Sequence, residues 1–428
     1  MASLPAVLRT DRHTVRRTRS RGRTPLAFSL VGVVAILMAA CSSGSSGPTT
    51  TASTATTATT AAGSASPLPA IHHVFVIVME NEGYAVTFAN PSSDPYLAST
   101  LPGQGALLSD YYGIGHNSND NYIAMISGQA PNPSNQDDCP VFADFPATAT
   151  VAPGGQISDS GCVFPTTVTT LANQLDQAHL TWKGYMEDMG NIPSRESAVC
   201  GHPAVGGPDH TETAVAGDGY ATRHDPFVYF HSIIDDTSVC DSHVVPLGSA
   251  TSALPPGTPS GVTGLASDLG SVSTTPNFSF ITPNLCNDGH DAPCVNQSGS
   301  PSALANIDTF LQTWVPKITN SPAFKKDGLL EVTFDESDTD GGNPADATAC
   351  CNEVAGPAAA QPGIYGPGGG RTGAVLISPF IKGGTTSTVP YNHYSTLATI
   401  EDIFGLAKLG QAKTVSATFG RDVFTASG

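Results

Sequence analysis

The 428-residue sequence predicts an α/β fold with a central, mostly parallel sheet flanked by helices, and three observations carry the prediction. Apolar runs without polar alternation recur along the chain, as in strands buried on both faces. Between several of them lie stretches with apolar spacing of three and four, which is the pattern of amphipathic helices. Long segments rich in Gly and Pro add loops of the size that builds a site or its rim.

The first 40 residues stand outside that fold. Seven arginines between positions 9 and 23 precede LAFSLVGVVAILMAA (26–40), and Cys41 follows. A basic region, a short apolar run and small residues at the cut make an export signal. The 15-residue run is shorter than a membrane span, which needs about 20 apolar residues. The boundary MAAC–SSGSSG resembles a bacterial lipoprotein signal, in which Cys41 is acylated and anchors the protein. Residues 41–67, almost all Ser, Thr, Ala and Gly, form a tether with no apolar face to bury. Residues 68–428 are expected to be one globular domain, exported and either surface-anchored or secreted.

Within the domain, strand-like runs are HVFVIVM (73–79), GALLSDYY (105–112), LTWKGYM (180–186), NFSFIT (277–282), LLEVTF (329–334) and GAVLIS (373–378). Helical spacing covers 166–179, 302–318 and 393–406, the last with Gly405 near its end, where helices stop. Segments 189–222, 241–276 and 339–371 read as long loops. Eight cysteines follow Cys41, an even number that in an exported chain points to disulfides. Neighbour pairing (139–162, 200–240, 286–294) is the expectation, with Cys350–Cys351 as a vicinal bridge, although sequence leaves the pairing open. There is no CxxC pair, which argues against a zinc–thiolate site.

The charge excludes some functions. Without the leader's seven arginines and one aspartate, the net charge moves from −18 to −24. Such a surface repels nucleic acid and anionic lipid, so no nucleic-acid partner is expected. It repels phosphates too, unless the site brings its own positive charge, for which a divalent metal ion is the obvious source.

Three polar clusters stand where strands end. Glu80–Asn81 closes the opening strand, Asp335–Glu336 closes another, and GHNSNDNYIAMISG (115–128) leads from a polar loop into an apolar helix. In parallel sheets, ligands bind just beyond the carboxyl ends of the strands. Carboxylates gathered there suit a hard divalent cation, and a serine at a helix start sits where backbone N–H groups favour an anion. Each cluster has a bland alternative: a polar strand end, a capping serine, an acidic turn or calcium loop. An EF-hand fails, because Glu336 holds the first ligand slot and Ala347 the last. Three clusters on one rim favour function over coincidence. Of the histidines, His224 and His290 lie in polar turns beside strands. His393 opens a helix and could serve as its cap. His72, His73, His179 and His231 read as surface or capping residues.

IVMEN, HNSNDNYIAMISG, GYMEDM, RHDPFVYF, TPNLCNDGHD, VTFDESD and HYSTLATIEDIFGL occur in that order. Together they resemble the secreted bacterial phosphoesterase family of acid phosphatases and phospholipases C, within the alkaline-phosphatase-like superfamily. The resemblance implies that Ser118 is the nucleophile and that Glu80, Asn81, Asp335 and Glu336, with Ser118, hold the metal. It implies that His224 and His290 contact the phosphoryl group and that His116 and Asn121 help bind substrate. Asn117 and Asp120 replace two prolines of the nucleophile motif, and Glu82 replaces a basic residue. The implied activity is metal-dependent hydrolysis of phosphate monoesters through a phosphoserine, on a small phosphate ester or a phospholipid headgroup. An acidic optimum would follow if His224 and His290 act as protonated donors. The alternatives are a phospholipase C acting on diesters with the same site, and a solute-binding lipoprotein without catalysis. Membrane contact is expected through lipidated Cys41 only.

Overall fold

A computed structural model describes residues 68–89, 94–295, 302–337, 346–351 and 353–425; the leader, the tether and Cys41 lie outside them. The strands are β1 (His73–Met79), β2 (Ala106–Leu108), β3 (Tyr111–Tyr112), β4 (Trp182–Met186), β5 (Val244–Pro246), β6 (Phe278–Thr282), β7 (Gly328–Phe334), β8 (Ala374–Ile377), β9 (Thr385–Ser387) and β10 (Tyr391–Asn392). Eight of them form one sheet in the order β5-β4-β6-β1-β7-β8-β2-β9, and β10 pairs with β3 separately. From β5 to β7 every neighbour is parallel. β8 runs antiparallel to both β7 and β2. The sheet is mostly parallel, as the uninterrupted apolar runs predict.

The side chains of β1 divide between two cores, as a period of two requires. Val74, Val76 and Val78 face one side, with Tyr122, Ile123 and Ile126 of α1 (Ser118–Ser127), Leu171 and Leu175 of α2 (Leu171–Gln177), and Leu397 and Ile400 of α4 (His393–Phe404). Phe75, Ile77 and Met79 face the other. There α3 (Ala303–Asn320) lays down Ile307, Phe310, Leu311, Trp314, Val315 and Ile318, an i, i+3, i+4 stripe. Each fully buried large apolar side chain contributes about 1.5–3 kcal/mol, and β1 and β7, buried along their whole length, are the middle pair of the sheet.

Some boundaries differ from the sequence reading. GALLSDYY divides into β2 and β3. α2 begins only at Leu171, because Thr170 and Asn173 form a capping box there. β5 lies inside a segment read as loop: three residues are too few to show a period. The described cysteines pair as neighbours, Cys139–Cys162, Cys200–Cys240, Cys286–Cys294 and the vicinal Cys350–Cys351.

Candidate active site

Adjacent parallel strands β6, β1 and β7 release their chains on the same edge, and three acids stand just beyond them. Glu80 and Asp335 are the first residues after β1 and β7; Asp288 lies in the loop after β6. All three are fully buried. The backbone ties them together. Glu80 N–H donates to the Asp288 carbonyl (2.9 Å) and Asp335 N–H to the Met79 carbonyl (2.9 Å). Asn81, in the left-handed region at φ 55°, turns its N–H onto Asp335 Oδ1 (3.1 Å).

Ser118 is the first residue of α1 and is buried. Its hydroxyl donates to Glu80 Oε2 at 2.8 Å, and Tyr122, one helical turn on, donates to Glu80 Oε1 at 2.5 Å. The i, i+4 spacing puts both donors on one helix face, so they meet both oxygens of one carboxylate. The His224 ring stacks on Tyr122, with centroids 5.1 Å apart and planes within 4°. Its Nε2 is 3.5 Å from Glu80 Oε2 and its Nδ1 is 3.3 Å from Asp288 Oδ2.

Glu80, His224 and Asp288 each offer a ligand atom, all within 4.8 Å of one another. Asn81 Oδ1, Asp288 Oδ2, Asp335 Oδ2 and both His224 nitrogens are buried without a hydrogen-bond partner among the described residues. Buried polar atoms left unpaired cost free energy unless something else satisfies them. Oxygens with one imidazole are a donor set that suits a divalent cation. Burial raises Glu80 well above the usual carboxylate range, and Asp335 and Asp288 raise it further. Burial likewise raises Asp288, and it lifts Asp335 to about 6. Acids so crowded call for protons or a cation.

The remaining expected residues separate by environment. His116 is held with Nε2 3.0 Å from the Asp346 carbonyl and Nδ1 3.2 Å from Glu336 Oε2. Glu336 is buried and raised by that burial, then by Asp335. Asn121 does not fit a substrate-binding role. Its Oδ1 accepts from the N–H groups of Ile114 and Gly115, and its Nδ2 donates to the carbonyls of Gly115 and Asn117. Both ends of the amide are used in bracing the loop that carries Ser118.

The histidines also need correction as protonated phosphate donors. Burial lowers His224 well below the usual imidazole value, and Arg223 lowers it further, which works against a protonated donor. His290 Nε2 lies 3.1 Å from Arg223 Nη2, and its Nδ1 is 2.8 Å from Asp291 Oδ1. A guanidinium only donates, so His290 Nε2 accepts and carries no proton for an oxyanion. His393 is not the cap of α4; the Asn392 side chain is, accepting from Ser395 N–H.

Three residues of the site were not singled out from sequence. Asp288 sits two positions before His290, in a turn whose Gly289 has φ 105°. Tyr122 had only its place one turn after Ser118. Arg223 is 3% exposed and donates to the Glu212 carbonyl at 3.0 Å. The arginine that opens RHDP in so acidic a chain was the available signal; the structure adds that it is buried, and a buried guanidinium needs a reason.

The profile of the Phosphoesterase family matches residues 93–407. A phosphate-repressible acid phosphatase of Penicillium chrysogenum is 28% identical over 73% of this chain and 55% of its own length. An acid phosphatase of Aspergillus fumigatus is 23% identical over 80% of this chain and 57% of its own length. The chain thus spans little more than half of these fungal relatives. A phosphatidylinositol-3-phosphatase of Mycobacterium tuberculosis is 26% identical over 82% of each chain. Among solved structures, a Vibrio parahaemolyticus protein of the alkaline phosphatase superfamily aligns with TM-score 0.43 and 12% identity, over 80% of this chain and 68% of that one. A likeness at that level carries no argument about activity.

Proposed function

The chain belongs to the Phosphoesterase family, and we propose that it hydrolyses phosphate monoesters with Ser118 as nucleophile. The observation that carries this is the Ser118 hydroxyl at a helix start, 2.8 Å from Glu80 Oε2 at the tip of the central strand. A serine hydroxyl is a weak nucleophile until its proton is taken, and Glu80 accepts that hydrogen bond. Tyr122 and Ser118 keep the two Glu80 oxygens oriented. Asp288, Asp335, Asn81, His224 and Glu80 would hold a divalent cation, with Glu336 behind them. When bound, such an ion screens phosphoryl charge and lowers the pKa of oxygen ligands. Arg223 supplies a fixed positive charge for the non-bridging oxygens, the part first given to His224 and His290. Ser118 attack on phosphorus releases the alcohol and leaves a phosphoseryl ester, which water then hydrolyses.

The activities that name two of the relatives, acid phosphatase and phosphatidylinositol-3-phosphatase, both remove a terminal phosphate. That favours monoesters over the diesters of a phospholipase C, whether the ester is a small molecule or a lipid headgroup. Four disulfides suit an exported protein; acylation of Cys41 and release of the leader belong to the same proposal. The test is turnover of nitrophenyl phosphate against nitrophenyl phosphorylcholine, with and without chelator. Wild type should prefer the monoester and stop with chelator, and Ser118→Ala should lose about 10³-fold or more in kcat while staying folded. A faster diester, or a Ser118→Ala rate like wild type, refutes the reading.

A further inference from the structure

β7 carries an acid in its middle. Glu331 is 2% exposed and points, with Leu329, toward the core shared with α4. Its strand neighbours in register are Val76 of β1 and Leu376 of β8, both apolar. The polar groups facing it are Thr396 of α4 and Tyr111 of β3. Thr396 Oγ1 is 2.8 Å from Glu331 Oε1 and 2.7 Å from the Tyr111 hydroxyl. That hydroxyl is 3.0 Å from His393 Nδ1, and His393 Nε2 is 2.5 Å from the main-chain carbonyl of Asp335. Every member is buried. A carboxyl four residues before the site is thus linked to the backbone of Asp335.

Proton counting decides its state. A carbonyl only accepts, so His393 Nε2 carries a proton and, in a neutral ring, Nδ1 accepts. Tyr111 must then give its proton to Nδ1, which leaves Thr396 to donate to the Tyr111 oxygen. The remaining contact, between Thr396 and Glu331, has no proton unless Glu331 supplies one. The alternative puts the extra proton on His393 and buries two opposite charges at the ends of the chain, which the apolar surroundings oppose.

We propose that Glu331, Thr396, Tyr111 and His393 form a proton-loaded relay that positions Asp335 through its carbonyl, with Glu331 acting as a neutral acid. The net direction of titration agrees: burial raises Glu331 from 4.5 to about 7, against the lowering effect of hydrogen bonds with Thr396 and Tyr111. Below that range all four contacts are filled. Above it one is lost and the Asp335 carbonyl is held less firmly, so the relay favours a site that works in acid. These are positioning residues, and their role in catalysis rests on the function proposed above.

The experiment has an arm that needs no substrate. Infrared difference spectra of metal-free wild type minus Glu331→Gln at about pH 6 should show the C=O stretch of a protonated carboxylic acid, disappearing as pH rises through about 7. If Glu331 is already ionised at that pH, the relay is wrong, whatever the protein hydrolyses. In the activity arm, Gln can donate to Thr396 as the neutral acid does. Glu331→Gln should keep the wild-type kcat in acid and lose the part of the wild-type decline that occurs near pH 7. Tyr111→Phe should cost about tenfold in kcat across the range. A Glu331→Gln pH profile that superimposes on wild type overturns the proposal.

Discussion

Gly113 offers a test of how tightly Asp335 must be placed. It lies between β3 and α1, its N–H donating to Gly370 and its carbonyl accepting from Gly369 N–H. A Cβ built on Gly113 would stand 2.6 Å from the Asp335 carbonyl oxygen and 3.1 Å from Glu336 Cα. Ordinary contact begins at 3.4 Å, so Gly113→Ala leaves a deficit of 0.8 Å (3.4 minus 2.6) against rigid backbone. Neither side yields easily: the glycine is pinned by two hydrogen bonds, and Asp335 follows directly from the central strand β7. The carbonyl that gives way is the one that accepts from His393.

Overpacking of this kind costs about 1–3 kcal/mol of stability. A displacement approaching 1 Å in a positioned catalytic group costs up to about 10²-fold in rate. Gly113→Ala should therefore remain folded at 25 °C, lose about 10- to 100-fold in kcat, and bind divalent metal more weakly. Urea unfolding, metal titration of the metal-free protein and kcat for nitrophenyl phosphate measure the three effects separately. Wild-type kcat and metal affinity in a Gly113→Ala protein of normal stability would refute the claim that Asp335 is held to within a fraction of an ångström.

Asp288→Asn should weaken metal binding by more than about tenfold in a calorimetric titration while leaving Ser118 and Glu80 in contact. Glu401, buried on α4 with Oε1 accepting from Leu409 N–H, is raised by burial from 4.5 to about 8. A raised folded-state value gives stability that is complete below pH 4.5 and lost as pH rises through 8. Wild type should lose about 4–5 kcal/mol relative to Glu401→Gln across that window, read from urea melts at its two ends; a pH-independent difference would contradict this.

Legibility in the sequence followed the strength of the physical signal. β1 was readable to the residue, because a strand buried on both faces has nothing to alternate with and Glu80 ends the run. α4 was readable because Gly405 takes the left-handed φ of 67° that ends it. β5 and β9 were not, since three residues pairing at the sheet margins carry no period. Glu80, Asn81 and Asp335 could be placed from sequence because strand tips map directly onto one edge. Asp288 could not, because its position depends on how a six-residue excursion after β6 folds back to meet Glu80. The hydrogen bonding of Asn121 and His290 could not be read from sequence for another reason. A side chain's hydrogen-bond partners decide whether it can reach a substrate, and residue types alone do not show which groups turn toward it, whether near in sequence, as Ile114, Gly115 and Asn117 are for Asn121, or distant, as Arg223 is for His290.

The charge of the site connects its chemistry with the acidic whole. Glu80, Asp120, Asp138, Asp288, Asp335 and Glu336 interact with one another, and every one is raised, with burial as the first cause. Arg223, whose charge is favoured by Asp138, Glu80, Glu212 and Asp288 against the opposing effect of burial, is the guanidinium set among them. One fixed cation among so many acids cannot make an attractive seat for a phosphate in a domain of net charge −24. Protons can neutralise the acids, but protonated carboxyls give a phosphoryl group no countercharge. A divalent ion does both, and taking it up must expel protons from these carboxyls. Acid therefore acts in two opposed ways on the proposed enzyme: it fills the Glu331 relay, and it competes for the ligands of the metal. On the proposed reading, the working range would lie where the relay still holds its proton and a bound cation has displaced those of the strand-tip acids.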